Sequence, residues 1–373
     1  MRISETLAKL AANRVPAQPG ARQASRLTPL TRFGSNPGAL SAWRYVPAGL
    51  APGAPLVVVL HGCTQTAAGY DAGTGWSALA DRAGFALLFP EQSRNNNMNL
   101  CFNWFESLDV VRSGGEAESI AQMVEAMVRD HGLDRARVYV TGLSAGGAMT
   151  TVMLATYPEM FAGGAIIGGL PYGGAPGVSA ALGRMAGRED RGTAALIESV
   201  ARVSGTSAGR IPTVSIWHGG ADQTVAVANA DHLAAQWRGV HGAAAEPTTV
   251  EHGPGWDHSS WTRDGRVVVE TWRIAAMGHG VPVDPAGPDG LGAVGAYMLD
   301  AGIDSTAAIA RSWGIVPDAV APMKAAAIAP IAKPEPTRAT RTSPPSASPA
   351  PAYAPAGVQK VIEDAMRAAG LMK

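Results

Sequence analysis

The chain has 373 residues, 46% of them hydrophobic, with 30 basic and 30 acidic side chains. That is enough apolar material for a large core, and it leaves no surplus of positive charge to neutralise nucleic-acid phosphates. No stretch reaches the roughly 18 consecutive apolar residues that span a bilayer. Only 16% of the residues are charged and 45 are Gly, which suits many tight turns and close backbone approaches.

Residues 1–38 read as an N-terminal extension interrupted by Pro16, Pro19, Pro29 and Pro37. Glu5 and Lys9 break what would be the apolar centre of a signal peptide, so the first residues read as a short amphipathic helix. From Ala39 the pattern alternates. Short apolar, β-branched runs at Leu56–Leu60, Phe85–Phe89, Arg137–Thr141, Ala165–Ile167, Pro212–Trp217 and Val267–Ile274 read as buried strands. Helical spacing fills Trp76–Ala83, Glu116–His131, Ala145–Tyr157 and Val225–Arg238. Such alternation predicts an α/β fold, a mostly parallel sheet flanked by helices, over residues 39–316. Residues 170–210 break the rhythm and are expected to form an insertion over the carboxyl edge of the sheet. Residues 317–356 shift to Ala, Pro, Ser and Thr, as in an extended linker, and residues 357–373 regain helical spacing.

The pentapeptide Gly142-Leu-Ser144-Ala-Gly146 lies between a predicted strand and a predicted helix. A serine on such a sharp turn is held clear of the sheet, and the helix that follows points its first N–H groups at a developing oxyanion. The same pattern recurs at Gly205-Thr-Ser207-Ala-Gly209, but with no strand before it and no helix after it. That copy reads as a loop.

A nucleophilic serine in this setting needs an acid and then an imidazole from later strand ends. Asp222 follows the strand ending at Trp217, and His279 comes five residues after Ile274, between Gly278 and Gly280. The rival base is His258, which precedes that last strand. His61 and His218 also close strands but come too early in the order, and are expected to support their loops. After Leu60, the segment His61-Gly-Cys63 offers the N–H of Cys63, which with that of Ala145 would form an oxyanion hole.

These residues resemble the esterases related to poly(3-hydroxybutyrate) depolymerases. The resemblance rests on Leu60-His-Gly-Cys-Thr-Gln65, Thr74-Gly-Trp-Ser-Ala-Leu-Ala-Asp81, Phe89-Pro-Glu-Gln-Ser93, Cys101-Phe-Asn-Trp-Phe105 and Val140-Thr-Gly-Leu-Ser-Ala-Gly-Gly-Ala-Met149, and spans about residues 40–285. It implies an α/β-hydrolase fold, ester hydrolysis with no metal or cofactor, frequent secretion, and Ser144, Asp222 and His279 as the triad. After His279 the chain reads Gly-Val-Pro-Val-Asp, where many relatives carry an aromatic-Pro-Gly sequence. The family also holds feruloyl and acetyl-xylan esterases, so the resemblance leaves the substrate open.

Cys63 and Cys101 are expected to pair, joining the oxyanion loop to the aromatic loop; two separate buried thiols are the alternative. The cysteine pair and the resemblance argue for an extracellular or periplasmic protein, whereas the missing signal peptide leaves a cytoplasmic one open. Phe102, Trp104 and Phe105 either line a substrate groove or belong to the core. The expected function is hydrolysis of short-chain-length polyhydroxyalkanoate, poly(3-hydroxybutyrate) or its oligomers. Expected partners are that polyester or a small ester and a polymer surface, with no nucleic acid and no membrane span. The alternatives are a feruloyl or acetyl-xylan esterase and, from another class, a non-catalytic polymer- or granule-binding protein. Deleting residues 317–373 should leave hydrolysis of soluble esters intact, and loss of that activity from a still-folded core would contradict the assignment of these residues as a tail.

Overall fold

The computed structural model describes residues 25–173, 177–188, 191–204 and 211–316. The second Gly-x-Ser-x-Gly copy, the first 24 residues and the predicted linker and last helix lie outside the described residues. The strands are β1 (Thr28–Pro29), β2 (Ser41–Tyr45), β3 (Leu56–Leu60), β4 (Ala86–Glu91), β5 (Val138–Leu143), β6 (Gly163–Ile167), β7 (Thr213–Gly219), β8 (Thr249–Gly253), β9 (Trp256–Arg263), β10 (Arg266–Ile274), β11 (Val281–Val283) and β12 (Met298–Asp300). The helices are α1 (Ala67–Thr74), α2 (Trp76–Ala83), α3 (Gly115–His131), α4 (Ala145–Thr156), α5 (Val178–Met185), α6 (Gly192–Ser204), α7 (Ala228–His241) and α8 (Ser305–Ser312).

Ten strands form one sheet in the order β1-β2-β4-β3-β5-β6-β7-β10-β9-β8. Its middle, from β4 to β10, is parallel, while β2 and β9 run antiparallel to their inner neighbours. This is the mostly parallel, helix-flanked sheet that the alternation of elements predicts, in the α/β-hydrolase architecture that the resemblance implies. Every residue of β3, β5 and β6 is buried, because helices cover both faces. Alternate residues feed two cores. Leu56, Val58, Leu60, Val140 and Ile166 pack with α3, α4 and α7, and Val57, Val59, Leu87, Tyr139 and Trp217 pack with α1, α2 and α8.

The leading segment is anchored in its described part: Thr28 and Pro29 pair with β2, and Leu27 and Leu30 are buried. The insertion contains two helices. Met185, at the end of α5, accepts a hydrogen bond from Ala226 N at the carboxyl edge (2.7 Å), whereas α6 joins the helical layer beside α4 and α7. An apolar cavity of about 220 Å³ lies within that layer, lined by Leu154, Pro158, Val200 and Trp237. It sits toward the end of the sheet opposite Ser144.

The strand order reverses between β3 and β5, the switch point where open α/β sheets bind ligands. There α4 approaches the end of β3 so closely that a Cβ on Gly146 would collide with the carbonyl oxygens of Leu60 and His61. Gly146→Ala should therefore lower stability by about 1–3 kcal/mol, as measured by urea unfolding. An unchanged midpoint would show that the helix can retreat without cost.

Candidate active site

Ser144 sits between β5 and α4 with φ 59° and ψ −116°, backbone angles that a non-glycine residue rarely adopts and that cost on the order of 1–3 kcal/mol. The neighbouring strand holds it there: Ser144 N donates to Ile167 O at 2.9 Å. Its hydroxyl does not cap the helix, and the side chain lies at the positive end of α4. Gly168, the residue after Ile167, has φ +52°, and a Cβ there would stand 3.2 Å from Cε1 of His279. Ser144 and the His279 imidazole thus each lie beside the Ile167–Gly168 segment at the carboxyl end of β6.

His279 Nδ1 is 2.6 Å from Asp222 Oδ2. The other oxygen, Asp222 Oδ1, accepts from the N–H groups of Thr224 (2.8 Å) and Val225 (2.9 Å). Burial alone would raise the Asp222 carboxyl, but the hydrogen bond and charge of His279, the neighbouring His218 and the Val225 N–H together hold it below the usual aspartate range. Among the described residues, the buried Nε2 of His279 has no hydrogen-bond partner. The predicted rival His258 lies elsewhere, between Glu270 (3.0 Å) and Glu251 (3.4 Å) and stacked on Trp272. His218 bonds Val225 O at 2.9 Å, and burial lowers its proton affinity, so it supports the acid loop as a neutral ring.

Across the switch point, no acceptor among the described residues takes the backbone N–H of Cys63 or of Ala145. The Cys63 loop is tied down on several sides. Gln65 Oε1 accepts from Gly62 N (2.8 Å), Asn99 O accepts from Thr64 N (2.7 Å), and Cys63 is disulfide-bonded to Cys101 across a separation of 38 residues. Closing a loop of that size contributes roughly 4 kcal/mol. His61 Nε2 accepts from Gln92 N at 3.2 Å, which leaves Nδ1–H to donate to Gly62 O at 2.8 Å.

Behind this loop is a carboxyl group that the motifs did not reveal. Glu116, fully buried at the start of α3, accepts from Gln92 Nε2 (2.5 Å), Asn96 Nδ2 (3.2 Å) and Asn103 N (2.8 Å). Burial, reinforced by nearby Asp109, pushes its pKa up to about 8. The signal in the sequence was indirect, a Glu beside Gly114-Gly115 that reads equally well as a helix start.

A profile described as Esterase PHB depolymerase matches residues 40–251, more than half of the chain. The chain belongs to that family. Poly(3-hydroxyalkanoate) depolymerase C of Paucimonas lemoignei is 47% identical over 294 residues, 78% of this chain and 70% of that protein. Acetylxylan esterase A of Emericella nidulans is 33% identical over 254 residues, covering 63% of this chain and 80% of that one. Among solved structures, the acetyl xylan esterase from Aspergillus awamori superposes with a TM-score of 0.65 at 25% identity, over 78% of this chain and 99% of its own. The protein is accordingly a carboxylic ester hydrolase.

In this esterase the three predicted aromatics part company. Phe102 is fully buried with its ring 5.0 Å from His61, so it belongs to the core and not, as one expectation had it, to a groove. It follows the disulfide-bonded Cys101 and packs within the core cluster that holds Leu60 and Ile120. Trp104 and Phe105 are half-buried, with rings edge to face at 5.7 Å. Trp104 packs with Met185 against a small apolar cluster of Ala148, Leu170 and Val225, residues that follow Ser144, Gly168 and Asp222 closely in the chain.

Glu116 binds its proton more tightly folded than unfolded. Its burial therefore penalises the native state increasingly as pH rises from the ordinary glutamate range to about 8, and by a constant amount above that. Glu116→Gln should flatten the fall of the thermal midpoint with pH over that window, and a slope equal to the wild type's would count against the shift.

Proposed function

We propose that this esterase hydrolyses short-chain-length polyhydroxyalkanoate, poly(3-hydroxybutyrate) or its oligomers, through an acyl-enzyme formed on Ser144. The observation that carries the mechanism is the 2.6 Å His279–Asp222 contact beside the strained serine turn, with Nε2 of the same imidazole left unpartnered. In this reading Nε2 takes the proton of the Ser144 hydroxyl as Oγ attacks the ester carbonyl. Asp222 fixes the tautomer and stabilises the imidazolium, and the N–H groups of Cys63 and Ala145 receive the oxyanion. The imidazolium then protonates the departing alkoxide. Water, deprotonated by the same imidazole, attacks the acyl-enzyme and releases the acid.

The 47% identity to a protein named for poly(3-hydroxyalkanoate) depolymerisation supports the substrate class. A second reading, acetyl ester hydrolysis on xylan, is favoured by the 0.65 TM-score over nearly all of an acetyl xylan esterase.

Ser144→Ala should lower turnover of p-nitrophenyl butyrate by roughly a thousandfold or more, and near-normal turnover would remove the serine from the mechanism. On one enzyme sample, release of 3-hydroxybutyrate from amorphous polymer should exceed both release of acetate from acetylated xylan and release of ferulate from its methyl ester. The reverse order would assign the protein to the second reading or to feruloyl esters.

A further inference from the structure

The segment after His279, Gly280-Val-Pro-Val283, brings no aromatic of its own to the imidazole. One arrives from elsewhere. Tyr297 precedes β12, which pairs in parallel with β11 immediately after the histidine, and its ring lies 6.3 Å from the His279 ring, edge to face at 82°. The residue is buried (9% exposed) and lies outside the segment 40–251 matched by the family profile.

Its backbone is unusual for so large a side chain. Met298 N donates to Gly295 O at 3.0 Å, closing a four-residue turn in which Tyr297 holds the third position with φ +63°. Glycine or asparagine is the usual occupant of that position, because a Cβ is strained there. Tyr297 is also joined to the base loop through its main chain: its carbonyl accepts from Val281 N at 2.8 Å, and Gly280 packs so closely that a Cβ there would press on that same oxygen. A bulky ring kept in a conformation that favours glycine, one contact away from an imidazole, is the kind of local strain that persists where a side chain has a task.

We propose that Tyr297 is a positioning residue: its ring, delivered by the strained turn, completes the slot that Gly168 and Asp222 begin and holds the His279 imidazole in line with Ser144. Asp222 fixes one ring nitrogen and the Gly168 backbone bounds the ring near Cε1 and Nδ1, and rotation about the Cβ–Cγ bond is limited by what packs on the remaining surface. Aromatic edge-to-face packing supplies that restraint without engaging Nε2. Small displacements of a base lower the chemical step far more than substrate binding. This inference rests on the assignment of His279 as the base, and the controls below separate the two.

The test compares Tyr297→Leu and Tyr297→Phe with the wild-type protein, using p-nitrophenyl butyrate kinetics and the rate at which a fluorophosphonate labels Ser144. The leucine variant should lose about tenfold in kcat and in labelling rate with KM within about twofold, whereas phenylalanine should stay within about twofold throughout. A folded leucine variant that keeps half or more of both rates overturns the proposal, and so does a phenylalanine variant that falls as far as leucine. Should Tyr297→Leu not be recovered folded, Tyr297→Met is held to the same thresholds. His279→Ala is run in parallel. If it remains active, the base assignment itself is wrong. If it is inactive while the leucine variant is normal, only the role of Tyr297 is lost.

Discussion

The first turn of α4 rests against the carbonyl oxygens of Leu60 and His61, a contact possible only because residue 146 has no Cβ. Two consequences follow from it. The helix begins abruptly enough that Ser144 must take φ 59°, which lifts its side chain out of the sheet. The N–H of Ala145 is also brought beside the turn that carries Cys63. The strain at Ser144 is offset by burial of the whole of α4 between the sheet and its neighbours, since every residue of that helix is buried.

The two sides of the switch point are held by different means. On the β5–β7 side, position comes from strand ladders and short turns, with Asp222 satisfied by two main-chain N–H groups as well as by His279. The Cys63 side has no ladder beyond Leu60. It relies on the disulfide, on the Gln65 side chain and on a polar cluster running from His61 through Gln92 to Glu116. The cluster carries a cost, because a carboxyl buried so deeply holds its proton to about pH 8. A loop with few backbone bonds of its own receives order from buried side chains, and the energetic penalty falls on one glutamate.

Much of this was legible in the sequence because the signals were local. Leu56–Leu60 and Trp76–Ala83 occur with the predicted bounds, and other parallel strands and helices lie within a few residues of theirs. A continuous β-branched run buried on both faces has few alternatives. Asp222 and His279 were found by their order after strand ends, and the structure brings them together. What escaped was non-local or ambiguous. The edge strands β8 and β9 carry exposed and polar residues that blur their alternation. The helices α5 and α6 lay in a Gly- and Ala-rich stretch with no strong period. Phe102 was left open between groove and core because three aromatics in five residues say nothing of which one turns inward. Tyr297 could not be connected with His279 at all, since their contact depends on the pairing of β11 with β12 across a loop of irregular sequence.

Three histidines stand at the carboxyl ends of parallel strands, and the surroundings of their nitrogens set them apart. His61 has both nitrogens engaged, one accepting from Gln92 N and the other donating to Gly62 O, and burial lowers its affinity for a proton. His218 spends Nε2 on Val225 O and is likewise depressed by burial. His279 faces the Asp222 carboxylate through Nδ1 at 2.6 Å, where His218 Nε2 stands off at 3.5 Å, and its Nε2, like Nδ1 of His218, has no partner among the described residues. The backing histidines act as neutral struts, and their neutrality follows from the same burial that fixes the loops they support.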